Sequence, residues 1–137
     1  TCNVDRYNVL TGEWVELDTV QETHCYSDHA GVASGNDTIY LFGGYTEDYQ
    51  ARNTVVKVEI SGVDELSFST VEPMGIARGD HACVGLPASA EALCIGGFTE
   101  ADFEYTILRS VERFDMETEQ WEDRADMVNP RADFGAG

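Results

Sequence analysis

Bases are scarce in this chain. Eight Lys and Arg stand against 26 Asp and Glu, a formal net charge of −18, and Lys57 is the only lysine. Such a surface repels phosphate backbones and anionic lipid, which disfavours nucleic-acid and membrane partners. It favours a protein partner carrying a basic patch or peptide, or bound cations. No apolar run approaches the roughly 18 residues a membrane-spanning helix needs, so no membrane insertion is expected. Thr1 is not an initiator methionine, and the pattern described below starts inside a repeat. Any targeting segment is therefore expected to lie outside these residues.

Cysteine is limited to Cys2, Cys25, Cys83 and Cys94, with no Cys-x-x-C spacing, which argues against a zinc ribbon or a thioredoxin-type motif. Four cysteines allow three pairings. A hydrophobic fraction of 42% is enough for a packed core without staples. Cys83 and Cys94 lie in apolar runs and are expected to be reduced, buried, small hydrophobes, which leans towards a cytoplasmic setting. Asn36-Asp37-Thr38 matches an N-glycosylation acceptor in a turn, which keeps an extracellular location open. A Gly-x-Ser-x-Gly elbow, a phosphate loop and a Ca²⁺-loop pattern are all missing.

What is present is a repeat. Ile39-Tyr40-Leu41-Phe42-Gly43-Gly44-Tyr45 returns as Leu93-Cys94-Ile95-Gly96-Gly97-Phe98, with the Gly-Gly pairs 53 residues apart. An apolar run closing on two glycines reads as a buried strand ending at a sharp backbone corner. Small-residue strands precede each copy, at His29 to Ser34 and Arg78 to Gly85. Val4, Tyr7, Thr11 and Trp14 recur as Val111, Phe114, Thr118 and Trp121, an offset of 107, and Arg78 recurs as Arg131. Four short strands in a period near 53 residues are the arithmetic of a β-propeller blade. The expected fold is therefore all-β, with four-stranded antiparallel blades. Residues 1–27 would be the outer strands of one blade and a connection, 28–77 and 78–130 full blades, and 131–137 the start of another. Trp14, Phe68 and Trp121 are expected to fill the gaps where blades splay.

A strand ending Gly43-Gly44 or Gly96-Gly97, the segment Val111-Glu112-Arg113-Phe114-Asp115, the turn Thr118 to Trp121, and a Met and an Arg before the next blade (Met74 and Arg78, Met127 and Arg131) resemble the kelch repeat family. The resemblance covers nearly the whole chain, about two and a half repeats. Phe68 stands where tryptophan is expected, and Cys25 or Tyr26 where the arginine is expected. It implies a portion of a kelch-type β-propeller, the remaining blades coming from the same or another chain. It also implies partner binding by the loops after the glycine corners and by residues 18–28 and 73–80.

His24, His29 and His81 are the catalytic suspects, but His29 and His81 fall at equivalent repeat positions and read as structural. His81 with Cys83 has no recognised ligand spacing. No catalytic residue, metal ligand or cofactor is assigned. The candidate binding residues lie after the two glycine corners: Tyr45, Glu47, Asp48 and Tyr49 in one loop, and Phe98, Glu100, Asp102, Phe103 and Tyr105 in the other. Aromatic anchors beside acids suit a cationic protein partner. The leading expectation is a non-catalytic interaction module. A kelch-propeller enzyme with its site in other blades, and a structural subunit of a large assembly, are the alternatives.

Overall fold

The computed structural model describes residues 2–20, 24–62, 64–86, 88–101 and 104–137. Its twelve strands are β1 (Cys2–Asn8), β2 (Glu13–Val20), β3 (Ala30–Ser34), β4 (Thr38–Phe42), β5 (Val55–Ser61), β6 (Glu65–Val71), β7 (Ala82–Leu86), β8 (Glu91–Ile95), β9 (Phe98–Ala101), β10 (Glu104–Ile107), β11 (Val111–Asp115) and β12 (Gln120–Arg124). One four-stranded antiparallel sheet runs β3-β4-β5-β6, and a second runs β7-β8-β11-β12. The equivalents of β5–β6 in the first repeat, β1–β2, form a two-stranded sheet. Strand β3 lies beside β7, so the small-residue strands face one another at the inner edge. Gly85 permits this approach, because a Cβ there would sit 2.8 Å from a Val32 methyl.

Strand β4 buries Tyr40 and Phe42 on one face and half-buries Ile39 and Leu41 on the other, towards β1, which is why its sequence is apolar without alternation. Tyr40 and Phe42 from β4 meet Phe114 from β11 edge-on at 5.1 and 5.5 Å, and Trp121 from β12 packs on Phe42 at 5.7 Å. These rings, with Val32, Val55, Met74, Ala92, Cys94 and Met116, make the core between the two four-stranded sheets. Trp121 thus fills the splay between blades as expected, and its indole N–H donates to the Glu72 carbonyl at 2.9 Å. Trp14 is 70% exposed and touches Tyr7 instead, at 5.0 Å, because no preceding blade lies against it among the described residues.

The glycine corners act through the chain that follows. Gly43 and Gly96 have φ of 60° and 61°, and a Cβ on either would lie 2.3 or 2.4 Å from the carbonyl oxygen of Arg78 or Arg131. Gly44 and Gly97 donate their N–H groups to those same carbonyls at 2.9 and 2.8 Å. Each corner therefore fixes where the next blade begins. The Arg78 side chain then reaches into its own blade. Fully buried, it donates to the Gly96 carbonyl at 2.7 Å and to Glu112 Oε2 at 2.6 Å, while Glu112 Oε1 accepts the Gly75 N–H at 2.6 Å. Arg131, its repeat equivalent, is exposed.

Two expectations need correction. Thr99 to Leu108, read as a loop, is largely taken up by the hairpin β9–β10, which starts at Phe98 and is inserted between β8 and β11. Cys83 and Cys94 are not reduced. They stand directly opposite on β7 and β8, with Cα atoms 4.2 Å apart, and are joined by a disulfide. The strand register places the two thiols side by side, and apolar surroundings alone do not keep adjacent thiols apart. Cys25 is also disulfide-bonded.

Candidate functional site

The segment after Gly44 is tied down at both ends. Tyr45 bridges to Ser27 and Ala51, and Arg52 donates its N–H to the Gly44 carbonyl at 2.9 Å. Within the loop, Tyr49 N–H donates to the Thr46 carbonyl at 2.9 Å, and Thr46 Oγ1 accepts the Gln50 N–H at 3.2 Å. One blade on, Phe98 makes the equivalent bridge to Gly79 and opens β9. The two segments are joined where the Tyr105 hydroxyl donates to the Tyr49 carbonyl at 2.9 Å.

Between them lies an open cleft of about 270 Å³, lined by Tyr45, Tyr49, Phe98 and Tyr105 with the carboxylates of Asp28 and Asp80. Tyr45 is its buried floor. Its ring lies against the backbone of Gly79, where a Cβ would come within 2.2 Å of it. Its hydroxyl donates to Asp80 Oδ2 at 3.1 Å. Burial, then the Asp80 bond, push the Tyr45 phenol well above its usual range, so it stays a neutral donor. Tyr49 and Tyr105 form exposed walls, 68% and 54% accessible.

The aspartates are held by a backbone device that recurs in each repeat. Asp28, Asp80 and Asp133 adopt φ of 52°, 50° and 54°, a left-handed conformation that Asp tolerates better than most residues. Asp80 N–H donates to the Asp28 carbonyl at 3.2 Å, and Asp133 N–H to the Asp80 carbonyl at 3.0 Å. Desolvation and the neighbouring charges of Asp133 and Asp28 raise the Asp80 pKa, against the lowering effect of the Tyr45 hydrogen bond. A group in that position is stabilised as an anion by an arriving cation.

Of the nine residues singled out in the sequence, Tyr45, Tyr49, Phe98 and Tyr105 line this cleft. Glu47 and Asp48 are exposed on the first segment and Glu100 lies on β9, none of them in its lining. Asp102 and Phe103 lie outside the described residues. Asp28 and Asp80 fall within the two connections the kelch resemblance marks, residues 18–28 and 73–80, but were not singled out. The signal was available: an aspartate precedes His29, His81 and Phe134 at intervals of 52 and 53 residues. Of the catalytic suspects, His29 is exposed with Nδ1 2.9 Å from the Tyr26 carbonyl. His81 is buried, and neither ring nitrogen has a hydrogen-bond partner. Desolvation, then the nearby Arg78 charge, depress its pKa to about 3, so it is a neutral imidazole.

Four-stranded antiparallel sheets stacked face to face through a shared core, with inner strands side by side, define a β-propeller segment. Residues 93–128, from within β8 to just beyond β12, match the Kelch motif. Among solved structures the chain is similar to that of YjhT, a kelch-type propeller, with a TM-score of 0.77 and 11% identity. The match covers 97% of this chain and 41% of YjhT, and at that identity it shows the fold alone. A search of curated protein sequences gives no match.

Proposed function

We propose that this propeller segment is a protein-interaction module that receives a cationic side chain of its partner in the cleft between the Tyr45–Arg52 segment and the β9–β10 hairpin. The observation that carries the reading is the lining: four aromatic rings and two carboxylates converge on one cleft of about 270 Å³. Aromatic faces attract a cation held over them, by about 0.5–2 kcal/mol depending on desolvation. The carboxylates add a charge-assisted hydrogen bond and orient the incoming group. A formal charge of −18 across the chain steers basic partners towards it.

The experiment uses peptides that differ at one central position: Arg, Lys, trimethyl-Lys or Ala. Cationic peptides are expected to bind, the Ala peptide to bind at least about tenfold more weakly, and Asp80→Asn to remove most of that difference. Binding should weaken steeply as salt rises. Equal affinity for the cationic and Ala peptides would sink the reading.

A second association is supported by a separate feature. A half-enclosed cleft of about 370 Å³ between the β1–β2 sheet and β4–β5 is lined largely by apolar residues, among them Ile39, Leu41, Val56, Val58 and Phe68. Two further strands pairing along β1 would bring the β1–β2 sheet to four and cover this cleft. Those strands are the remaining blade material expected from the same or another chain.

A further inference from the structure

His81 has a cost without a visible return in the fold. The residue is 7% exposed, and both ring nitrogens lack a hydrogen-bond partner. Burying a polar group unpaired destabilises the fold, and such a group calls for a partner of another kind. The ligating atoms beside it are the sulfurs of Cys83 and Cys94. An imidazole nitrogen and the two sulfurs all lie within 4.8 Å of one another, the only such group among the described residues.

Blade packing does not require this trio. At the equivalent positions of the preceding repeat stand His29, Gly31 and Leu41, and the residue equivalent to His81 in the next is Phe134. His29 is exposed and has a backbone partner. Among the described residues, only one blade combines a buried, unpaired imidazole with two sulfurs on facing strands.

We propose that His81, Cys83 and Cys94 form a redox-gated binding site for a thiophilic d¹⁰ cation such as Zn²⁺, closed while the disulfide is intact and opened by its reduction. The reducing step is ordinary thiol–disulfide exchange. A dithiol reductant gives two electrons and two protons, its own sulfurs become a disulfide, and Cys83 and Cys94 become thiols. Zn²⁺ then displaces both thiol protons to solvent. Two thiolates and a neutral imidazole balance the charge of the ion, so the assembled site is neutral, as a buried position demands. Zinc bonds of about 2.3 Å to sulfur and 2.0–2.1 Å to nitrogen set ligand atoms roughly 3.5–3.8 Å apart, within reach of side-chain rotation from the present positions. Three protein ligands leave a fourth position open for water. Cys94 is fully buried and Cys83 partly accessible, so the ion enters from the Cys83 side.

The test titrates the full chain, reduced with a phosphine under anaerobic conditions, with Co²⁺. Thiolate-to-cobalt charge-transfer absorption counts the sulfur ligands, and the visible bands report tetrahedral geometry. One Co²⁺ per chain with a two-thiolate signal, displaced by Zn²⁺, is expected for the reduced protein and not for the oxidised one. Cys25 also yields a thiol on reduction, so the paired control is Cys83→Ser with Cys94→Ser, which should abolish the signal. His81→Ala should weaken binding at least tenfold. The proposal is overturned if the reduced parent binds no more metal than the double-serine variant, or if His81→Ala binds as tightly as the parent. Should reduction melt the strands, circular dichroism replaces the titration: Zn²⁺ is expected to restore them in the parent and not in His81→Ala. Failure to restore the parent overturns the proposal equally.

Discussion

Gly43 and Gly62 share a backbone conformation, φ 60° and 62°, in different surroundings. Around Gly62 nothing lies within 4 Å of where a Cβ would be, whereas at Gly43 the Arg78 carbonyl oxygen lies 2.3 Å away. Gly62→Ala should therefore cost only the left-handed strain of about 1–2 kcal/mol. Gly43→Ala must also push the next blade out of register and should cost about 3 kcal/mol or more in urea unfolding. Equal losses would show that the corner acts through φ alone. The buried Arg78–Glu112 pair makes a second case. Glu112→Gln leaves a guanidinium buried without its counter-charge and should cost about 3–5 kcal/mol, and Arg78→Met with Glu112→Leu should recover much of that. The glycines and the arginine were legible because backbone corners and repeat positions leave a mark in one sequence. Glu112 was not, since nothing local tells an acid that strand pairing will bury from the many that stay exposed. The unpaired ring of His81 was hidden for the same reason: position in the repeat says where a side chain points, not whether it finds a partner there.

Strands and their order were legible at the level of elements, because each carries its own pattern: small residues inside, apolar in β4 and β8, alternating in β11 and β12. The β9–β10 hairpin was not. Its sequence, acidic and aromatic, is the composition of a loop, and its strands are held by cross-strand pairing from Phe98–Ile107 to Ala101–Glu104 and by Tyr105 on Tyr49. The opposite situation holds at the turn joining β11 to β12, where the local sequence suffices. Asp115 Oδ1 accepts the N–H groups of Glu117 and Thr118, both at 2.9 Å, and these backbone bonds hold its carboxyl below the usual carboxylate range. The ionised form is favoured in the folded state, so this contribution is complete above the ordinary carboxylate pKa and fades as pH falls through the lowered one. Urea midpoints measured from pH 6 downwards should fall more steeply for the parent than for Asp115→Asn, whose amide oxygen accepts the same bonds at every pH. Parallel slopes would mean that the turn contributes nothing pH-dependent.

Across the whole molecule, stability depends on contacts that no single blade contains. Phe42 from one sheet and Phe114 from the next are both fully buried and meet at 5.5 Å, and the Tyr40 hydroxyl donates across the same interface to the Met116 carbonyl at 3.2 Å. The period near 53 residues foretold that blades would stack, yet which aromatic meets which depends on the stagger between sheets, and one repeat does not encode that. It follows that the two four-stranded sheets should unfold together, because neither face of the interface survives alone in water. Phe114→Ala removes the ring shared by Tyr40, Phe42 and Trp121 and should cost about 3–5 kcal/mol. The decisive reading is cooperativity as well as midpoint. In a Trp14→Phe background, Trp121 alone reports the interface by fluorescence while far-UV circular dichroism reports all strands. The two transitions should coincide in the parent. In Phe114→Ala the fluorescence change should come at lower urea, as the sheets separate before they melt. Coincident transitions in both proteins would place the coupling elsewhere, in the glycine-corner bonds to the Arg78 carbonyl that thread one blade into the next.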